Sequence, residues 1–328
     1  MKPLGQQYEK VGDSLYVDKD VVLFKDHFAL PLSYEKMSPV IFKKGYTRDF
    51  LDGLIDEKSL RAKIIDSWSF INSESDFTIV EGTGHMGVGA IVNLHNASVA
   101  SLLDLEVVLI AKGGIGSAFD ELALNKALCD QHGVKLRGVI LNQVLDEKRE
   151  MIETYFSKAL QRWNIPFIGC IPYEKYLSTP AMGDFEVLFQ TTLLAGERYH
   201  FHHFETMRLV ATSVATFKER IFGNQLIVTP ATREDIIQTL LEHPAYTLFE
   251  RKGPEHGLIL TGRHPPTPAI IEQLKEAAIP TLYAPYSSFE AMRMISSFTA
   301  KIRKDDLSKI QNAITLVESH LNFSYLEN

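Results

Sequence analysis

The chain has 328 residues, 45% of them hydrophobic and 23% charged, with a formal net charge of −7; that is long for one hydrophobic core and suits two domains. The acidic balance argues against nucleic acid, whose binding needs a basic footprint, and Lys43-Lys44 and Lys301-Ile302-Arg303-Lys304 are too short to supply one. No secretory leader opens the chain and no apolar run has the length of a membrane span, so the cytoplasm is expected and a membrane partner is not.

Taken in chain order, apolar runs alternate with helical periodicities, the pattern of a parallel sheet covered on both faces. Strands are predicted at Phe77–Val80, Val107–Ala111, Gly138–Leu141 and Phe167–Ile171. Helices are predicted at Asn96–Leu103, Ala118–Gln131 and Lys148–Trp163, where apolar residues recur every three or four positions. Cys129 and Cys170 fall in such apolar patterns and read as small core residues. Between residues 183 and 206 the rhythm breaks, and a domain boundary is placed there, giving domains 1–200 and 201–328. His200, His202 and His203 lie in this stretch without matching Cys or carboxylate spacing, so a surface linker is expected and not a metal site. A second series follows: strand Gln225–Thr229, helix Arg233–Leu241, strand Gly257–Thr261, helix Pro268–Ala277, strand Thr281–Ala284 and helix Phe289–Phe298. A helix from Asp305 to Leu321, opened by Asp305 or Asp306, is expected to cap the second domain.

The most informative segment is Phe77-Thr78-Ile79-Val80-Glu81-Gly82-Thr83-Gly84-His85-Met86-Gly87. Gly82, Gly84 and Gly87 spell G-x-G-x-x-G after a strand, the dinucleotide fingerprint. The context fails: Val88–Leu94 reads as extended where a helix must open, and Glu106 begins the next strand where the ribose-binding acid should end it. The other reading gives Glu81 a role. A carboxylate at the C-terminal end of a parallel strand sits where open α/β sheets bind ligands. The glycines after it let backbone N–H groups face an anion, and such an acid commonly holds Mg²⁺ in phosphate-handling sites. Against this stands a Glu81 that only caps a turn.

Glu81-Gly82-Thr83-Gly84-His85 is similar to the acidic, glycine-rich signature of the dethiobiotin synthetases and related cobyrinic acid diamide synthases, a P-loop family. The resemblance continues through Val108-Leu109-Ile110-Ala111-Lys112-Gly113-Gly114-Ile115-Gly116, Gly138-Val139-Ile140-Leu141-Asn142 and Ile165-Pro166-Phe167-Ile168-Gly169-Cys170-Ile171-Pro172, and covers Met1 to about Ser178. Lys2-Pro3 followed by Gly5 resembles the family's Lys-Pro segment. The resemblance implies that Lys2 points at phosphate or a substrate carboxylate and that Asp20 and Glu81 flank Mg²⁺. It also implies that Asn142 hydrogen-bonds an adenine edge, while the glycine-rich loop itself makes Gly82, Thr83 and Gly84 candidates to line the ligand. Against these stand a strand-end turn for Asn142 and a solvated loop pair for Asp18 and Asp20.

The second half resembles the DRTGG domain that follows a dethiobiotin-synthetase-like module in the N-terminal region of long phosphate acetyltransferases. Val228-Thr229-Pro230-Ala231-Thr232-Arg233-Glu234-Asp235 and Leu258-Ile259-Leu260-Thr261-Gly262-Arg263 carry the likeness. Ala231-Thr232 replaces the Gly-Asp before the arginine, and Arg263 replaces the second glycine of Thr-Gly-Gly. Arg233 and Arg263 are expected at one crevice where two guanidinium groups hold a phosphate or carboxylate, unless Arg233 only pairs with Glu234 or Asp235. The expected fold is therefore α/β: a parallel-sheet P-loop-NTPase-like domain plus a smaller α/β DRTGG-like domain.

One departure outweighs the matches. The family's chemistry uses G-x-x-x-x-G-K-[ST], and no glycine in this chain is followed by lysine. ATP and Mg²⁺ are expected cofactors only if such a segment precedes Met1; otherwise the protein is a natural remnant. Two functions follow: a regulatory, ligand-sensing protein without catalytic residues, or an ATP- and Mg²⁺-dependent ligase-like enzyme. A homodimer is expected, with a small anionic ligand or nucleotide as its other partner.

Overall fold

The computed structural model describes residues 1–243 and 254–327. Contacts divide the chain into two compact units, Met1–Tyr173 with Arg303–Asn328, and Glu174–Ile302. Both are α/β with parallel sheets, as the apolar runs require.

In the first unit, β1 (Leu4–Gly5), β2 (Tyr8–Val11), β3 (Leu15–Asp18) and β4 (Val40–Ile41) come before the predicted strands. β1 runs parallel to β4, and β2 and β3 form an antiparallel hairpin. Then β5 (Val107–Lys112), β6 (Leu136–Val144) and β7 (Phe167–Pro172) form a parallel three-stranded sheet. The helices Gly116–Gln131 and Arg149–Gln161 bury Leu122, Cys129, Ile152 and Phe156 against Leu109, Val139, Leu141 and Cys170. The opposite face presents Ile140, Ile168 and Ile171, and Leu316, Val317 and Leu321 cover them.

These last three residues belong to the tail, whose helix Leu307–Glu318 is capped by Asp306, the side chain accepting from Lys309 N–H. The tail was expected to cap the second domain; instead it completes the first. Leu321 bridges Gly169 in antiparallel fashion, and Asn322 N–H donates to the Ile168 carbonyl at 2.9 Å. Glycine is required at 169, because a Cβ there would lie 2.2 Å from the His320 carbonyl oxygen.

Two local expectations in this unit fail. Phe77–Val80 is not a regular strand; it is tied alongside Met1, whose nitrogen donates to the Ile79 carbonyl at 2.7 Å and whose carbonyl accepts from Glu81 N–H at 2.9 Å. Phe77 and Ile79 are 67% and 70% exposed. Ile110 of β5 is 65% exposed as well, and β5 pairs only with β6 among the described residues. The helix Asn96–Leu102 packs Ala97 and Ala100 toward the β5–β7 core and Val99 against Leu4 and Val40. Val88–Leu94 is likewise not extended: Gly89 (φ 100°) and Asn93 (φ 57°) bracket a single 3₁₀ turn, Ala90–Val92.

In the second unit, β8 (Leu193–Ala195), β9 (Thr206–Leu209), β10 (Gln225–Pro230), β11 (His256–Thr261) and β12 (Thr281–Ala284) make one sheet of order β8-β12-β11-β10-β9. All neighbours are parallel except β8. Alternate residues sort to the two faces: Ile227, Leu258 and Leu260 meet Ile236, Leu240, Ile270 and Leu274. Leu226, Val228, Ile259 and Leu282 meet Phe185, Phe189, Ala291 and Ile295. The expected boundary at residue 200 therefore lies inside this unit, since the segment with the broken rhythm supplies the helix Met182–Phe189 and the edge strand β8. Nor are the histidines a linker. His200 Nδ1 lies 2.9 Å from a Glu186 carboxylate oxygen, His202 reaches Asn224 Oδ1 at 3.3 Å, and His203 reaches the Thr179 carbonyl at 2.9 Å.

Candidate functional site

The first unit brings Lys2, Asp20 and Glu81 into direct contact. Lys2 Nζ donates to Asp20 Oδ2 at 2.7 Å and to Glu81 Oε1 at 2.8 Å. Three elements supply these groups. Lys2 precedes β1 and is fixed by its own N–H, which donates to the Met37 carbonyl at 2.7 Å. Asp20 stands in the first turn of the helix Lys19–His27, whose cap is Asp18, with Asp18 Oδ1 accepting from Asp20 N–H at 3.0 Å. Glu81 ends the segment tied to Met1. Asp18 is thus not in a solvated loop: it closes β3, starts a helix and is 1% exposed.

Burial alone would depress the Lys2 ammonium; hydrogen bonds to Asp20 and Glu81 outweigh it and raise its pKa above the usual lysine value. The cation is the sealed member, its side chain 7% exposed against 21% and 44% for Asp20 and Glu81.

The glycine loop closes over the end of β1. Thr83 Oγ1 donates to the Leu4 carbonyl at 2.7 Å, and Asn96 Nδ2 donates to the carbonyls of Thr83 and His85 at 2.9 and 2.8 Å. Asn96 explains Gly82, where a Cβ would lie 2.8 Å from the amide, and Gly84 takes φ 64°. Asn125 holds the far side, its Oδ1 accepting from Met86 N–H at 2.9 Å. Asn96 and Asn125 escaped the sequence reading, because an asparagine in a helical pattern carries no mark of a loop partner far along the chain.

Asn142 does not join this group by any hydrogen bond. It lies within β6, opposite Lys112, and its Oδ1 accepts from Gln143 N–H at 2.9 Å while its carbonyl accepts from Gly113 N–H at 2.7 Å. Gln143 at φ 59° marks an irregularity of the strand there.

Does this cluster fit magnesium with a nucleotide? Both carboxylates that would face the ion are engaged by one ammonium, whose Nζ stands 2.7 and 2.8 Å from them. No lysine follows a glycine to cradle phosphates. The residues present do not fit that group.

In the second unit the ends of β10 and β11 lie side by side, with Pro230 opposite Thr261. Arg233 precedes the helix Glu234–Leu241, and its guanidinium makes a two-pronged pair with Asp235, at 2.8 and 2.9 Å, and donates to the Thr212 carbonyl at 3.0 Å. That pairing raises the pKa of Arg233 and lowers that of Asp235. Arg263 follows Gly262 (φ 118°) in the loop after β11 and is exposed. Thr261 Oγ1 and Ser288 Oγ lie 2.7 Å apart at the same sheet end. Among the described residues the two arginines share no hydrogen-bond partner, and Arg233 spends its fork on Asp235.

The AAA domain family matches residues 1–181 and the DRTGG domain family residues 188–298. The phosphate acetyltransferase of Pseudomonas putida is 29% identical over 291 residues, which span 84% of this chain and 40% of that protein. The phosphate acetyltransferase of Nitratidesulfovibrio vulgaris is 25% identical over 318 residues, 94% of this chain and 44% of its own length. The chain thus spans about two fifths of the phosphate acetyltransferases it matches. The ATP-dependent dethiobiotin synthetase of Bacillus velezensis is 27% identical over 173 residues, 49% of this chain and 69% of that enzyme. A crystal structure of the CBS and DRTGG domains from the regulatory region of Clostridium perfringens pyrophosphatase aligns at a TM-score of 0.30 and 16% identity, over 64% of this chain and 86% of that one. Through its first 181 residues this chain belongs to the AAA domain family, in its P-loop, dethiobiotin-synthetase-like form, and a DRTGG domain follows.

Proposed function

We propose that this chain is a regulatory, ligand-sensing protein: a degenerate nucleotide-binding-type unit without phosphoryl-transfer chemistry, joined to a DRTGG unit that takes a small anion or a nucleotide. The observation that carries this reading is the Lys2–Asp20–Glu81 cluster, in which one ammonium engages both carboxylates, in a chain where no glycine is followed by lysine. In the second unit the anion would meet Arg263, exposed at the end of β11, and Arg233 would have to exchange Asp235 for the ligand. Thermal-shift titration with nucleotides and small acidic metabolites, without magnesium, tests this. At least one anion is expected to raise the Tm, and Arg263→Ala to remove most of that rise, with Arg233→Ala weakening it less. If no anion stabilises the protein, or if both variants respond like the parent, the second unit does not sense anions here.

One observation favours a second reading, an ATP- and Mg²⁺-dependent ligase-like enzyme. Lys2, Asp20 and Glu81, far apart in the chain, meet at one point. An in-frame Gly-Lys-Thr or Gly-Lys-Ser loop in the gene upstream of Met1 would decide for it.

The reading includes self-association as a two-fold dimer. The edge of β5 that has no partner strand among the described residues, with exposed Ile110, and the exposed Phe77 and Ile79, are apolar surfaces of a kind that associates. Analytical ultracentrifugation is expected to show a concentration-dependent dimer, weakened by Ile110→Lys. A monomer at every concentration would contradict it.

A further inference from the structure

The family to which this chain belongs implies a divalent cation between Asp20 and Glu81, and the geometry disagrees. We propose that the Lys2 ammonium is the resident cation of this site, standing where a divalent ion would bridge the two carboxylates and keeping such ions out. The inference rests on reading the first unit as non-catalytic and goes further, since it assigns the site's positive charge to the chain itself.

Three observations carry it. Nζ contacts one oxygen of each carboxylate, at 2.7 and 2.8 Å, whereas Mg²⁺ or Ca²⁺ would need those oxygens at about 2.0–2.6 Å from its own centre. Ammonium and metal therefore compete for one volume. The lysine is also the member withdrawn from solvent, 5% exposed as a residue, so the acids cannot turn to a metal without stranding a buried charge. Nor is its backbone free to retreat: Lys2 N–H is bonded to Met37, Leu4 pairs with Val40, and the Thr83 hydroxyl holds the Leu4 carbonyl. With one ammonium against two carboxylates, a metal entering beside Lys2 would meet a like charge at contact distance.

The experiment is a Mn²⁺ titration of the full chain without nucleotide, followed by loss of the free-ion electron paramagnetic resonance signal. The parent protein is expected to leave the signal unchanged into the millimolar range. Lys2→Met is expected to take up one equivalent, about tenfold or more tighter than any residual binding by the parent, and Lys2→Met/Glu81→Gln to lose it. One equivalent bound by the parent and abolished by Glu81→Gln would overturn the proposal, as would a folded Lys2→Met that gains nothing. Should Lys2→Met fail to fold, the parent alone decides: its Tm is expected to ignore millimolar Mg²⁺, and a saturable rise lost in Glu81→Gln refutes the inference. Because no nucleotide is present, this outcome is separate from the anion titration of the second unit.

Discussion

Steady-state ATP hydrolysis by this chain is expected to be indistinguishable from that of the heat-denatured protein. Phosphoryl transfer relies almost wholly on positioning and on donors aimed at the charge that develops on the transferred group. Removing even one such donor from a working site costs about 10²- to 10³-fold, and here the glycine-rich cradle with its lysine has no counterpart in the chain. Lys2, the ammonium that bonds the acids, is committed to Asp20 and Glu81. A coupled assay for released phosphate, with Glu81→Gln as control, makes the check. Turnover that persists in that variant would mean that groups outside this cluster perform the chemistry.

Acidification is expected to loosen the second unit through His256 by roughly 3 kcal/mol between about pH 7 and pH 4. His256 opens β11 and is fully buried; burial, with the nearby His243, pushes its pKa down from 6.5 to about 4 despite a hydrogen bond with the Phe222 backbone. The unfolded chain takes up the proton near pH 6.5 and the folded chain only near pH 4. The stabilising contribution is therefore complete above about pH 6.5 and lost as the pH falls toward 4. Amide-exchange protection of β11 at the two pH values, in the parent and in His256→Gln, measures it. The fall in protection should be markedly smaller in the variant; equal falls would assign the acid sensitivity elsewhere.

The legible part of this protein was the part written in local periodicity. β5, β6, β7, β10, β11 and β12 appear within three residues of their predicted limits, because continuous apolar runs between helical patterns leave few alternatives. Lys2, Asp20 and Glu81 were legible as candidates through the family likeness, but their mutual engagement was not. Spacing along a chain says nothing of whether an ammonium will settle between two carboxylates. Phe77–Val80 has the composition of a strand, yet strand geometry needs neighbours, and among the described residues Met1 is the one that hydrogen-bonds it. Arg233 illustrates the same limit, since its choice of Asp235 over a ligand depends on how the start of the helix Glu234–Leu241 is turned. In the first 76 residues β1 and β4 are two residues each, too short to show a period, whereas the helix Glu57–Ser73 buries Leu60, Ile64 and Ile71 at helical spacing and was legible but missed.

The tail that covers β7 has a consequence for biosynthesis. Ile140, Ile168 and Ile171 leave the ribosome before residue 173, yet the residues that shield them, Leu316 to Leu326, emerge only after all of Glu174–Ile302 has been made. At roughly 5–20 residues per second the interval is of the order of ten seconds, during which one face of a three-stranded sheet stays uncovered. Chaperone occupancy on nascent chains should accordingly begin near residue 172 and end only when Leu316 to Leu326 emerge, a window fixed by the order in which the two units are threaded along one polypeptide.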